Sequence, residues 1–327
     1  MPRKDVAETG VVIGFSNHRP EIVPLAARFM AQVDTVCLEE PPSKAFLPML
    51  TRELGVEDYL LTLDLEYPEF SRRMCALLQE LYEKGKRIVQ VEPYLESLIS
   101  IHERFAEGAS PGDLPGGTAL STVYRAEHEA TAALLAFYKA VSGGFDEVVH
   151  AVKRFARCDA RRFAIRDRMR AEALAPWISR NRPVYVEAGQ MHFALAGLLR
   201  KLLPGSVRIL PRYLTAPKAR ALGGPAHLYG PGDILTLLYI FHPSGRDARE
   251  DLLAARALVY NKLIEKEETQ EEDDTFFHTH DEIRVLRTTR KLDLEDCRHL
   301  YPSLRRMRSE EARKMVDDYL EFRRSPR

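Results

Sequence analysis

Apolar residues along the chain follow two alternating patterns. Short runs rich in β-branched residues end at a glycine or a glutamate, and the stretches after them repeat their apolar residues every three or four positions. The first pattern is typical of buried strands and the second of amphipathic helices. Their alternation predicts an α/β protein with a central, mostly parallel sheet. The predicted strands cover residues 11–13, 35–38, 87–92, 183–188 and 207–210.

The first strand opens a unit in which a histidine follows the strand. The apolar run reaches Gly14, His18 comes next, and an amphipathic helix then leads to the strand 35–38, which ends at Glu39 and Glu40. A parallel crossover between neighbouring strands brings His18 and these glutamates to the same edge of the sheet. Side chains alternate along a strand, so only one of the two glutamates can face a site there.

A second unit repeats this order. The run 183–188 breaks at Gly189, His192 follows, and an amphipathic stretch over 193–203 leads to the strand 207–210. This is a weak internal repeat that places two histidines and a carboxylate near each other. In the first turn of a helix, the dipole favours the neutral imidazole that a metal ligand or general base requires. A turn histidine that only satisfies backbone groups is the alternative.

Glutamate and arginine supply further candidate chemistry. The strand 87–92 stops at Glu92 much as the earlier strand stops at its glutamates, so Glu92 is a candidate carboxylate at the same edge, with capping of the following helix as an equal alternative. Arg162, Arg166 and Arg170 recur every four residues on a predicted helix. Arginines at this spacing usually form a solvated helix face.

The succession of these motifs resembles the TraB/PrgY family. That family belongs with the Tiki proteases, the ChaN-like haem-binding proteins and the erythromycin esterases. The resemblance covers roughly residues 10–213 and includes an arginine-containing helix at residues 165–169, before the second histidine strand. It implies functional roles for His18, Glu39, Arg166, Gly189 and His192.

The resemblance implies a hydrolase of a peptide, ester or related acyl bond. His18, Glu39 and His192 would either bind one divalent cation or divide the tasks of a general base and its orientation, while Arg166 stabilises negative charge. Similarity to Tiki implies a Mn²⁺-like ion, whereas erythromycin esterases are understood to work without metal. The sequence leaves both mechanisms open. Further candidate site residues are Glu40, Glu92 and Gly189.

A non-catalytic protein on the same fold is the alternative function. PrgY-like and ChaN-like members imply sequestration of a peptide or of haem iron. Two local features favour this alternative: three residues separate Gly14 from His18, where the family has two, and the bulky Met191 precedes His192.

The amino-acid composition limits the kinds of partner that the protein can bind and the compartment expected for it. The 48 basic and 48 acidic residues give no net charge, which makes nucleic acid or an anionic membrane surface an improbable partner. The four cysteines are far apart, as expected of free thiols in a reducing cytoplasm. No apolar run approaches the ~20 residues of a membrane helix, so we expect a cytoplasmic protein. The family resemblance implies a small molecule or a peptide as its substrate.

The predicted domains are an α/β domain at 1–231 and a helical extension at 232–327. A helical insertion interrupts the first domain at about 118–181, with a break at Gly143 and Gly144. Its last part, from Arg284 to Arg327, is rich in arginine and fits a surface for partner binding or homo-oligomerisation. Nucleic-acid binding is a minor alternative there, because acidic residues interrupt the basic field.

Overall fold

A five-stranded parallel sheet forms the centre of the fold in the computed structural model, which describes residues 10–63, 65–244, 248–268 and 276–324. The strand order is β3-β2-β4-β1-β5, and each paired strand runs parallel to its neighbour. The predicted α/β class is confirmed. The strands are β1 (Val11–Ser16), β2 (Thr35–Leu38), β3 (Arg87–Gln90), β4 (Val184–Gly189) and β5 (Ile209–Tyr213).

The two histidine units are interleaved in this sheet. β1 and β2 were predicted to be neighbours, but β4 lies between them, and β5 pairs with β1 instead of β4. Each unit therefore places its second strand against the first strand of the other unit. Ser16 at the end of β1 is in register with Gly189 at the end of β4, so the two histidine turns lie side by side.

Helices occupy the connections between strands and most of the chain after β5. A 3-10 turn at Pro20–Ile22 precedes the first of them. None of the described helices is sufficiently long and apolar to span a membrane. The helices are α1 (Val23–Met30), α2 (Phe46–Leu50), α3 (Val56–Leu60), α4 (Pro68–Glu83), α5 (Pro93–Ala106), α6 (Ala119–Ala140), α7 (Phe145–Ile178), α8 (Leu195–Leu202), α9 (Ala216–Ala221), α10 (Pro231–Phe241), α11 (Glu250–Leu263), α12 (Phe277–Arg290), α13 (Leu294–Leu304) and α14 (Ser309–Arg324).

Most predicted elements are confirmed, with shifted boundaries. The break in the helical insertion falls between α6 and α7, at Gly143 and Gly144. The strand predicted at 207–210 is β5, which starts two residues later. The helix predicted from residue 193 is α8, which begins at Leu195, so His192 precedes the helix instead of lying in its first turn.

Side-chain alternation in β2 determines which face of the sheet each of the acids Glu39 and Glu40 lies on. Val36 and Leu38 belong to one buried cluster, and Cys37 belongs to the cluster on the opposite face of the sheet. The alternation continues beyond the strand, because Glu39 contacts arginines on the Cys37 side while Glu40 accepts a hydrogen bond near Tyr59 on the Leu38 side. Both acids are thus buried, but on different faces.

The chain divides into two compact units that are discontinuous in sequence. The unit containing the sheet comprises Met1–Tyr124, Ala164–Thr215 and Glu268–Phe277, and residues 1–9 of the predicted first domain lie outside the described residues. The second unit comprises Arg125–Phe163, Ala216–Glu267 and His278–Arg327. Most of the helical insertion therefore groups with the C-terminal helices. The sequence did not indicate this grouping. The predicted boundary between the α/β domain and the helical extension, at residue 231, stays a prediction.

Replacing Gly14 by alanine is expected to lower the free energy of unfolding of the sheet unit by about 1–3 kcal/mol. The new Cβ would lie 1.9 Å from Oη and 2.5 Å from Cζ of Tyr185, a side chain that is packed in the core and only 1% exposed. Urea unfolding followed by the fluorescence of Trp177, the single tryptophan, measures this unit. The control is Gly197→Ala in α8, where an added Cβ meets nothing within 4 Å. Equal stability of the two variants would contradict the close packing at Gly14.

Candidate functional site

The carboxyl ends of four strands meet at one edge of the sheet. His18 follows β1, His192 follows β4, Glu39 follows β2 and Glu92 lies just beyond β3. Gly189 is where three of these residues converge. A Cβ placed on Gly189 would lie 3.3 Å from Cε1 of His18, 3.6 Å from Cδ2 of His192 and 3.7 Å from Oε2 of Glu39. The predicted convergence of both histidines with a carboxylate is therefore present, and a glycine permits the close approach.

Glu39 forms the centre of this cluster. Its Oε1 lies 2.7 Å from Nε2 of His192 and 2.8 Å from Nη2 of Arg166. Its Oε2 accepts the backbone N–H of Gly189 at 2.5 Å and lies 3.3 Å from Nη1 of Arg170. Burial alone would raise the pKa of Glu39, but the charges of His192, Arg166 and Arg170 outweigh it and hold the pKa well below its usual range. Glu39 is therefore a carboxylate near neutral pH.

His192 lies between two carboxylates. Its Nδ1 contacts Oδ1 of Asp167 and its Nε2 faces Glu39, while its side chain is 3% exposed. Burial alone would lower its pKa, but Glu39 and Asp167 raise the pKa to about 9. The expectation of a neutral imidazole is thus wrong for His192. Two buried carboxylates act on the ring, and the helix whose dipole would favour the neutral form begins only at Leu195. His192 is an imidazolium whose ring nitrogens both face carboxylates.

His18 has the opposite protonation state. It is partly exposed, adopts a left-handed backbone with φ 52°, and its ring centroid lies 5.1 Å from that of Phe70. The buried part of the imidazole and the nearby charges of His192, Arg166 and Arg170 lower the pKa of His18 below its ordinary 6.5, although Glu39 opposes the shift. His18 is therefore neutral at pH 7 and able to accept a proton.

Two arginines of α7 fix the acids in place. Arg170 is fully buried and donates from Nε to the carbonyl of Val91 at 3.0 Å and from Nη2 to the carbonyl of Glu187 at 2.7 Å. Nε of Arg166 lies 3.3 Å from Oε2 of Glu92, whose side chain is fully buried and caps no helix. The expectation of a solvated arginine face is thus wrong for Arg170, since the sheet edge covers this part of α7.

Glu40 and Glu187 form a separate acidic pair on the other face of the sheet. Glu187 Oε2 accepts the backbone N–H of Glu39 at 3.2 Å, and Glu40 Oε2 accepts from Gln90 Nε2 at 2.9 Å. Burial, and then the charge of Glu40, raise the pKa of Glu187 to about 8. The candidate Glu40 therefore does not join the histidine cluster. Only Glu39 of the two consecutive acids faces it, in agreement with strand alternation.

The predicted metal ligands do not fit a divalent cation in this arrangement. Both oxygens of Glu39 are engaged by His192, Arg166 and Gly189, and two guanidiniums flank the carboxylate. A cation would displace these contacts and meet like charge. Among the described residues, no group of three or more His, Cys, Asp or Glu side chains is arranged to hold a metal.

Two residues of the site, and one acid on the opposite face of the sheet, were not predicted as functional. Asp167 and Arg170 lie one and four residues after Arg166 on α7, and Asp167 stands in the segment 165–169 that carries the family resemblance. Glu187 stands in an otherwise apolar strand, and an acid in a buried strand indicates a specific partner. Each of these signals is common in solvated helices or strand ends, so none identifies a site without the tertiary contacts.

Comparison with known proteins reveals a relative in an archaeon. No protein-family model and no solved structure matches the chain. An uncharacterized protein of Archaeoglobus fulgidus is 31% identical over 289 residues, which cover 88% of this chain and 96% of that protein. Identity at this level across nearly the whole of both chains reflects common descent. The chain belongs to the same protein family as this uncharacterized archaeal protein.

Proposed function

We propose that this sheet edge is the active site of a hydrolase that cleaves an ester, peptide or related acyl bond. The observation that supports it is the pairing of a neutral His18 with a charged His192 against one glycine. Environments that push the pKa values of neighbouring groups apart are characteristic of acid–base catalysis. The resemblance to the TraB/PrgY family and the erythromycin esterases supports the same reaction class.

Exposure distinguishes the reacting groups from the supporting groups. The side chains of Glu39, Glu92, Asp167 and His192 are at most 6% exposed, and that of Arg170 is 0% exposed. His18 is partly exposed and the Arg166 side chain is 21% exposed. A substrate therefore reaches these two groups first, and the buried residues fix their positions and charges.

The charges of the buried cluster balance before reaction. Glu39, Glu92 and Asp167 are opposed by Arg166, Arg170 and His192, which leaves His18 as the neutral member. A proton taken up by His18 produces an imidazolium that Glu39 stabilises. The negative charge that develops on the substrate at the same time lies next to the guanidinium of Arg166.

Hydrolysis on this arrangement proceeds in two proton transfers. His18 removes a proton from water as the water oxygen bonds to the acyl carbon, and Arg166 stabilises the resulting oxyanion. The oxyanion then collapses, the bond to the leaving group breaks, and His18 returns its proton to the departing oxygen or nitrogen. The products are a carboxylic acid and an alcohol or amine, and His18 is again neutral.

Hydrolysis assays with and without a chelator test this function. The full chain is incubated with p-nitrophenyl butyrate and with a fluorogenic dipeptide amide, in the presence and absence of EDTA. We expect saturable cleavage of one of these acyl classes at equal rates in both buffers. His18→Asn protein purified alongside is the control for contaminating hydrolases.

Two outcomes would contradict the proposal. Loss of activity in EDTA would show that a metal takes part. That result would contradict the inference, drawn from the contacts of Glu39, that a divalent cation does not fit the site. Absence of cleavage, or equal cleavage by the His18 variant, would favour the non-catalytic binding function.

A further inference from the structure

A groove between α6 and α7, within the second unit, has the composition of an anion site. It has a volume of 450 Å³ and lies among residues of both helices. On α7, His150, Arg154, Arg157 and Arg161 follow one another at spacings of four, three and four. This spacing places them along one side of the helix, so three guanidiniums and one imidazole line the same wall.

Two of the three guanidiniums are held in place by protein carboxylates. Arg157 Nη2 lies 2.7 Å from Oε2 of Glu250, and its guanidinium carbon is 4.6 Å from the ring centroid of Tyr239. Arg161 Nη1 lies 2.8 Å from Oε2 of Glu129. Guanidiniums fixed in this way lose little further entropy when an anion binds them.

The third guanidinium is available to a ligand. Arg154 is exposed and makes no hydrogen bond or ion pair with any residue in the described part of the chain. The three guanidiniums against the carboxylates of Glu129 and Glu250 leave one positive charge in excess. The groove therefore has an excess of N–H donors and positive charge over its own carboxylates.

The part of the groove that faces the arginines leaves space for the organic portion of a small ligand. Ala132 of α6 and the buried Cys158 of α7 contribute small side chains, and His128 lies on the α6 side. The volume falls within the usual range of small-molecule sites, roughly 300–1,000 Å³. A nucleic acid backbone would need a longer basic track, and the balanced charge of the whole chain provides no general attraction for one.

We infer that this groove binds a small phosphorylated molecule through Arg154, Arg157 and Arg161. A phosphomonoester is dianionic and presents three terminal oxygens, which suits several guanidinium donors along one wall better than the two oxygens of one carboxylate. The organic part of the ligand lies against Ala132 and Cys158. The site is independent of the proposed hydrolase site, because every residue that lines it belongs to the second unit.

Calorimetric titration of the full chain with phenyl phosphate tests the inference. We expect saturable binding to one site, weakened at least about tenfold in Arg154→Gln, because a charge-assisted contact is lost. Arg168→Gln is the matched control, since Arg168 is an exposed arginine of the same helix outside the groove. Ala132→Leu places a larger side chain in the groove at an exposed position without changing the charge. We expect this variant to abolish binding of phenyl phosphate.

Specific outcomes would overturn the inference. Equal weakening by Arg154→Gln and Arg168→Gln would show that net charge alone attracts the anion. Unchanged affinity in Ala132→Leu would show that the groove does not enclose the ligand. No saturation by phenyl phosphate at millimolar concentration, or tighter binding of a 20-nucleotide single strand that Ala132→Leu leaves unchanged, would exclude a small-molecule phosphate site.

Discussion

Replacing Arg170 by methionine is expected to lower the free energy of unfolding of the sheet unit by about 3–5 kcal/mol. The guanidinium is fully buried and joins the carbonyls of Val91 and Glu187, just beyond β3 and within β4. It also lies 3.3 Å from Glu39. Methionine fills similar volume but leaves two carbonyls without this donor and the Glu39 charge without one of its cations.

Urea unfolding detected by Trp177 fluorescence measures the effect. Trp177 lies on α7 in the same unit and packs against its core, so its signal reports this unit. The matched control is Arg168→Met, two residues earlier on the helix and exposed, for which a change within about 0.5 kcal/mol is expected. A stability of Arg170→Met equal to that of the control would mean that the buried acids do not require this cation.

The burial of Arg170 shows what local sequence patterns leave undetermined. Periodicity established that Arg162, Arg166 and Arg170 share a helix face, but it cannot say what packs against that face. The answer depends on the pairing of β4 between β1 and β2, which joins segments about 150 to 170 residues apart. No local propensity encodes such a pairing.

The residues that meet at the edge of the sheet could be predicted from the sequence because of the strand direction. All five strands are parallel, so every residue that follows a strand end lies at the same edge whatever the strand order. His18, Glu39 and His192 could therefore be grouped correctly even though β1 and β2 were wrongly taken as neighbours. The protonation states could not be predicted, because they depend on Asp167 and on burial, and neither follows from position at a strand end.

Replacing His18 by asparagine is expected to lower kcat/KM for the cleaved ester or amide by about 10²–10⁴-fold, the usual contribution of a general base. Asparagine tolerates the left-handed backbone at this position, where φ is 52°, so the turn is retained while the proton acceptor is lost. The control is His102→Asn, an exposed histidine on α5 in the same unit, which should leave the rate unchanged. Stability measured by Trp177 fluorescence should match the wild type in both variants.

The pH dependence of hydrolysis separates the two histidines. Protonated His18 cannot accept a proton, so the wild-type rate should fall as the pH drops through the His18 pKa, which lies below 6.5. Loss of the His192 proton removes a positive charge beside Glu39, so the rate should also fall above the His192 pKa of about 9. In His18→Asn the acid limb should disappear from the residual activity while the alkaline limb persists. An unchanged acid limb in that variant would assign the general base to another group, because the titration would then not belong to His18.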